Sequence, residues 1–306
     1  MIFRFKRLYL SLFLIVLISS CQTNYDVNEK ISEPLINANT KFEQFLSVQW
    51  EQDLEDNPIF ASLLGNKKFN QDISSNSINT FESKKLKFQK SLIELNSFDY
   101  EQLSANNKLN YQLKEISLKN SIEASNYPSY YMSLNQRGGV QSYYETGDRL
   151  VYESKQDYED WLIRLSKYVD NIINTKGNLE KGLENGYTQP RLVTEQVIAQ
   201  IDNILNSDLE NNPYLKIFIK ADNSFFNNGE KEDLVYRAKE LIKINIIPAY
   251  VDLNNFLKTI YLPNSRESIG LSALPDGSLW YEYATRYHTT TNLTPDEIHN
   301  IGLKEV

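Results

Sequence analysis

Histidine and cysteine are almost missing from this chain of 306 residues, which holds two of the first and one of the second. The histidines, His288 and His299, stand eleven positions apart. There is no His-x-x-x-His, no His-Glu-x-x-His and no cysteine pair, so the sequence offers no metal-ligand motif of its own. A lone cysteine also rules out an internal disulfide. Glycine is scarce, and its one doublet, Gly138-Gly139, is not followed by Lys-Ser/Thr, which excludes a phosphate loop there. No Gly-x-Ser-x-Gly elbow occurs. Basic charge is short too: 32 Lys and Arg face 40 Asp and Glu, a net charge of −8. Nucleic acid, which needs clustered Lys and Arg, is therefore excluded as a partner. The acids themselves, for example Glu230, Glu232 and Asp233, read as a solvated face rather than a glycosidase dyad.

The most apolar stretch is Leu8–Ile18, too short to span a membrane as a helix. With Arg4, Lys6 and Arg7 before it, residues 1–20 read as a signal peptide. Removing the leader would take the net charge from −8 to about −11. Ile18-Ser19-Ser20-Cys21 fits a bacterial lipobox, which makes Cys21 the expected lipidation site. The partner so implied is a lipid bilayer, held through acylation of Cys21; several acyl chains anchor stably where one would be marginal. Gln22 after the cysteine favours outer-membrane sorting, with leaflet and side open. Residues 21–39, rich in Gln, Asn, Glu and Ser, read as a lipidated polar tether. The expected product is an exported lipoprotein of the cell envelope.

Residues 40–306 read as one helical domain. Phe42, Phe45, Leu46, Gln49, Trp50 and Leu54 recur at helical spacing. Asn57-Pro58 restarts a short helix that Gly65 stops. Ile78 to Leu95 repeats in steps of three and four, and Ser104 caps a helix carrying Leu109, Leu113, Ile116 and Ile122. Asn126–Tyr152 breaks the periodicity with six tyrosines around Gln136-Arg137-Gly138-Gly139. That segment is either a structural crossover, its tyrosines wedged between helices, or a substrate-lining stretch with Gln136 and Arg137 in it. Ser154 caps the strongest helix, with Tyr158, Trp161, Leu162, Leu165, Tyr168 and Ile172 on its apolar face. Glu230–Leu262 is one long periodic segment that Pro248 should kink or divide. The fold class expected is mainly α, a multi-helix array with a small β-hairpin near the C-terminus.

The hairpin expectation comes from Gly270–Val306. Pro275-Asp276-Gly277 signals a turn, and aromatic Ser278–Tyr287 reads as a strand ending in His288-Thr289-Thr290-Thr291. Period two would place Tyr281, Tyr283 and Tyr287 on one face, and Trp280, Glu282 and Arg286 on the other. Thr294-Pro295-Asp296-Glu297 then starts a helix with N-cap, proline and capping box all present. These motifs, from Gly277 to Val306, strongly resemble the bacterial "domain of unknown function 885" family. Pro248-Ala249-Tyr250 with Leu253, Phe256 and Leu257 is similar to the family's preceding helix. Asn135–Val140 sits where the family has a Gln-x-x-Gly-like segment. The resemblance runs from about Thr40 to Val306 and is specific at its end.

Family members look like helical zinc peptidases of the gluzincin kind, with a His-Glu-x-x-Pro-Gly-His-type motif on a later helix. No such motif is present, so the chain resembles the N-terminal portion of such a protein, truncated before its zinc motif. The resemblance implies no cofactor within this chain, zinc in the full-length parent, and a peptide substrate there. It assigns no catalytic or metal residue here. Candidate substrate-binding residues are Tyr281, Tyr283, Arg286, His288, Gln136 and Arg137. Arg286 could meet a substrate carboxylate or pair with Glu282 or another acid, and His288 could bond a substrate carbonyl. His299 reads as a packed or exposed helix residue. A different class stays open: a non-catalytic, lipid-anchored helical binding protein of the envelope, or a truncated remnant.

Overall fold

The computed structural model describes residues 33–306, so residues 1–20, read as a leader, and Cys21 lie outside the described residues. Helix α1, Glu33–Asp56, already covers residues 33–39, and Asn39 accepts bonds from Ser104 N at 2.9 Å and Asn107 Nδ2 at 2.8 Å. Short α2, Pro58–Leu63, starts on its proline and is followed by Gly65 at φ +83°. Helices α3, Ile78–Leu95, and α4, Ala105–Ala124, are capped by Ser77 and Ser104, whose side chains accept from Thr80 N and Asn107 N. Around them Phe42, Phe45, Leu95, Leu103 and Leu118 close a small apolar cluster. The periodic face read for α4 does not meet it. Leu109, Leu113 and Ile116 are more than half exposed, and it is Asn107 and Leu118 that turn inward.

Helix α6, Lys155–Asn185, is the axis of the main core; short α5, Tyr144–Arg149, precedes it. Leu165, Tyr168, Ile172, Thr175, Leu179 and Gly182 recur in steps of three and four, and all are buried. Each large apolar side chain so buried contributes roughly 1.5–3 kcal/mol. Polar α6 residues bind the loop before α3: Asn171 Nδ2 donates to Ser74 O at 3.0 Å, and Asn178 Nδ2 to Asn76 O at 2.7 Å. Gly186, at φ +79°, ends the helix with its left-handed turn. Around α6 pack α7, Arg191–Asn206; α8, Lys216–Ile219; α9, Glu230–Leu241; and α10, Ile247–Phe256. No helix among the described residues is long and apolar enough to cross a membrane.

Pro248 does not divide the segment, since helical turns run on from α9 into α10. A π turn at Ile242–Ile246 lies just ahead of it, in which Ile247 N donates to Ile242 O, five residues back. The wider turn absorbs a ring that cannot donate and would crowd the preceding carbonyl. The device repeats before Pro263, where Leu257–Tyr261 is a π turn and Leu262 N donates to Leu257 O. At the centre, the Tyr214 and Tyr250 hydroxyls lie 2.6 Å apart, and Tyr250 Oη donates to Val140 O at 2.6 Å. Both rings are buried, and burial holds both phenols above their ordinary range. Tyr250→Phe strands two buried polar groups; unfolding in urea should show a loss of about 1–3 kcal/mol with an unchanged slope.

The β-hairpin is not formed. Gly277–Thr289 is helix α11, and the C-terminal helix α12 spans Pro295–Glu305. The described residues contain two isolated bridges, Asn135–Gly138 and Pro190–Arg266. Strand-like composition misled here because Trp280, Tyr283 and Tyr287 also recur at steps of three and four. That helical face finds aromatic partners, while a strand would have had no neighbour to complete its ladder. Asp276 turns the chain at φ +52°, and Gly277 is required beside it, since a Cβ there would sit 2.2 Å from Leu271 O. The capping box is as expected: Thr294 accepts from Glu297 N, and Glu297 accepts from Thr294 N.

Candidate functional site

The tyrosine-rich crossover and α11 meet in one aromatic seam. Tyr127 stacks on Trp280 at 5.4 Å and 15°, and on Tyr283 at 5.4 Å and 29°. From Tyr283 the seam continues to Tyr287 and the edge of His288; from Trp280 it passes Tyr187, Tyr131 and Tyr130 to Phe81. The polar tips are tied down locally. Tyr127 Oη donates to Leu279 O at 3.2 Å and Tyr283 Oη to Asn120 O at 3.3 Å. Arg286 forms an ion pair with Glu123 of α4, not with Glu282. Burial raises the Tyr127, Tyr130 and Tyr283 phenols above their ordinary value, so these rings stay neutral donors near pH 7.

One end of this seam walls a cleft of about 410 Å³, lined by Phe81, Phe88, Tyr127 and Tyr130 with Lys84, Lys85 and Glu82 at its edge. Lys85 Nζ donates to Asn126 Oδ1 at 2.9 Å. Such a surface can stack an apolar or planar group and meet a charge at the rim. None of the six candidate residues lines this cleft or a second one, of about 440 Å³, between α2 and the N-terminal half of α6.

Their placement follows their helices and turns. Tyr283 and Arg286 are spent on α4 contacts, while Tyr281 and His288 are exposed on α11. Helical spacing, not period two, separates Tyr281 from Tyr283. Gln136 and Arg137 form the exposed tip of a tight turn, with Asn135 N and Gly138 N each donating to the other's carbonyl. Asn135 Oδ1 accepts from Arg137 N at 2.8 Å, and Gln136 O accepts from Gln200 Nε2 of α7 at 2.9 Å. The turn is thus carried by α7, whereas α11 is carried by α4. Thr290, in the His-Thr-Thr-Thr segment, holds φ +54° between α11 and α12, a conformation costly for a β-branched residue.

Metal chemistry finds no donor set here. Among the described residues, no three of His, Cys, Asp and Glu gather closely enough to hold a metal ion. His288 and His299 are both exposed, on separate helices. These residues do not fit a zinc centre. The polar group that the sequence reading passed over is Arg164 of α6, fully buried beneath the second large cleft. Its signal was legible: Trp161, Arg164 and Tyr168 share one helical face, and an arginine on a core face needs a reason.

No curated protein matches the sequence. Among solved structures, the fold is similar to the crystal structure of the putative lipoprotein from Colwellia psychrerythraea, with a TM-score of 0.72 at 16% identity. The similarity covers 90% of this chain and 48% of that one, so the chain spans about half the length of that structure. The family model described as "Bacterial protein of unknown function (DUF885)" matches residues 58–306. Over that span, which holds the aromatic seam and both C-terminal helices, the chain belongs to the DUF885 family of bacterial proteins.

Proposed function

We propose that this chain is the N-terminal helical half of an exported, lipid-anchored, peptidase-like hydrolase, supplying scaffold and one wall of a substrate cleft. The observation that carries the reading is the open face of α11 and α12. Helix α12 buries none of its residues; Ile301 and Leu303 are 47% and 63% exposed, and Leu279 and Tyr281 of α11 are half exposed or more. The stripe Leu109, Leu113 and Ile116 on α4 adds to this surface, since α11 packs on the same helix at Asn120 and Glu123. Apolar surface of this extent is expected to be covered by other polypeptide. A solved relative in fold about twice as long supports a second half as that cover. The zinc implied by the family resemblance would belong to that half. Lipid attachment at Cys21 rests on the lipobox, and the similar fold of the putative lipoprotein from Colwellia supports it.

The test is hydrolysis of a defined peptide mixture by the protein purified from its native envelope, read by mass spectrometry of the products. Released fragments support the reading. An unchanged mixture contradicts it and favours the non-catalytic binding protein, for which the aromatic seam and its 410 Å³ cleft would be the working surface.

A further inference from the structure

The cleft of about 440 Å³ between α2 and the N-terminal half of α6 is built around a cation that its protein neighbours do not satisfy. Arg164 is 0% exposed. Its Nη2 donates to Ser62 Oγ at 2.8 Å and to Phe69 O at 2.7 Å. Nε and Nη1 have no acceptor, carboxylate or otherwise, among the described residues. Two more buried groups of the same cleft are in that condition: Trp161 Nε1 and Tyr152 Oη. A buried guanidinium with spare N–H groups is costly unless an acceptor completes it. The acids around it serve other partners and not Arg164. Asp157 takes Lys67, Glu153 N and Ser154 Oγ, and Asp160 Oδ1 takes Gln71 and Gln156. Glu153 reaches Lys67 at 3.0 Å and is otherwise open to solvent. The floor therefore has unspent donors, while the rim sets three carboxylates, Glu153, Asp157 and Asp160, against one lysine, Lys67.

We propose that this cleft binds a small zwitterion, an amino acid or short peptide, with its carboxylate on Arg164 and Trp161 and its ammonium toward Glu153 and Asp160. A dianion would meet the acids, and a plain amine would leave Arg164 unmatched. Leu150–Glu153, an irregular segment between α5 and α6, lines the cleft beside the donors. Tyr152 in it can swing aside without losing a hydrogen bond, though it gives up its stacking on Tyr158 at 4.5 Å and its packing on the main core. This site lies within the described chain, and its ligand binding does not depend on the hydrolase reading.

The test is titration calorimetry of the full chain with glycylglycine, with glycylglycinamide, which lacks the carboxylate, and with inorganic phosphate. Saturable binding of glycylglycine is expected, at least tenfold tighter than the amide, and lost in Arg164→Met. Trp161→Phe, which keeps an aromatic side chain but loses the indole N–H, should weaken it about tenfold and serves as the readout if Arg164→Met does not fold. Equal binding of the amide, preference for phosphate, unchanged binding in both variants, or no saturation by glycylglycine would each overturn the proposal.

Discussion

Phe42→Ala should destabilise the protein by about 3–5 kcal/mol, and the loss should be confined to one part of it. Phe42 is 0% exposed and lies among Phe45, Phe98 and Tyr111, with ring centroids 5.3–6.1 Å away. Its cluster, from α1, α3 and α4, is separate from the large core around α6. Separate clusters open separately when one is weakened. Hydrogen exchange should therefore show amides of α1, α3 and α4 losing protection while those of α6, α7 and α10 keep theirs. Uniform loss across the chain would mean that the two clusters form one cooperative unit.

Gly182→Ala carries the second large effect, and its sign is the informative part. Helix propensity alone favours alanine over glycine by up to about 1 kcal/mol, here in the last turn of α6. A Cβ at 182, however, would stand 2.6 Å from Tyr187 O and 2.7 Å from Tyr131 O, both backbone atoms. Backbone cannot step aside as a side-chain end can, so crowding wins, with a net loss of about 1–3 kcal/mol or more. Thermal melts should show a lower midpoint than wild type. A raised midpoint would mean that the crossover carrying Tyr131 is free to shift. This contact also explains how the tyrosine-rich segment is fixed: its backbone rests directly on α6.

Local chemistry made most of the helices legible. Ser77, Ser104 and Thr294 announce helix starts, and Gly186 a stop, because each acts within a few residues of itself. The helix α11 escaped because its aromatic residues favour strand by composition, and the choice was settled by Tyr127, more than 150 residues earlier in the chain. Pro248 suggests a kink or a division of the segment because its compensating π turn has no sequence signature. The stripe on α4 was correctly periodic, but periodicity does not say whether a partner is present to bury it. Arg286 could have paired with any nearby acid, and only tertiary packing selects Glu123. For the candidate sites, the sequence pointed to the tyrosine segment and the C-terminal motif, which the fold does join in the seam. It did not bring Gln136 and Arg137 to them, because those two residues follow α7.

The most direct test of the two-half reading is the intact mass of the native protein extracted from the cell envelope. A mass near twice that of this chain is expected, in keeping with the 48% share of the Colwellia lipoprotein that the chain covers. A mass equal to Cys21–Val306 plus lipid would contradict it. The open face of α11 and α12 would then need a separate partner, and the hydrolase reading would fall with the second half.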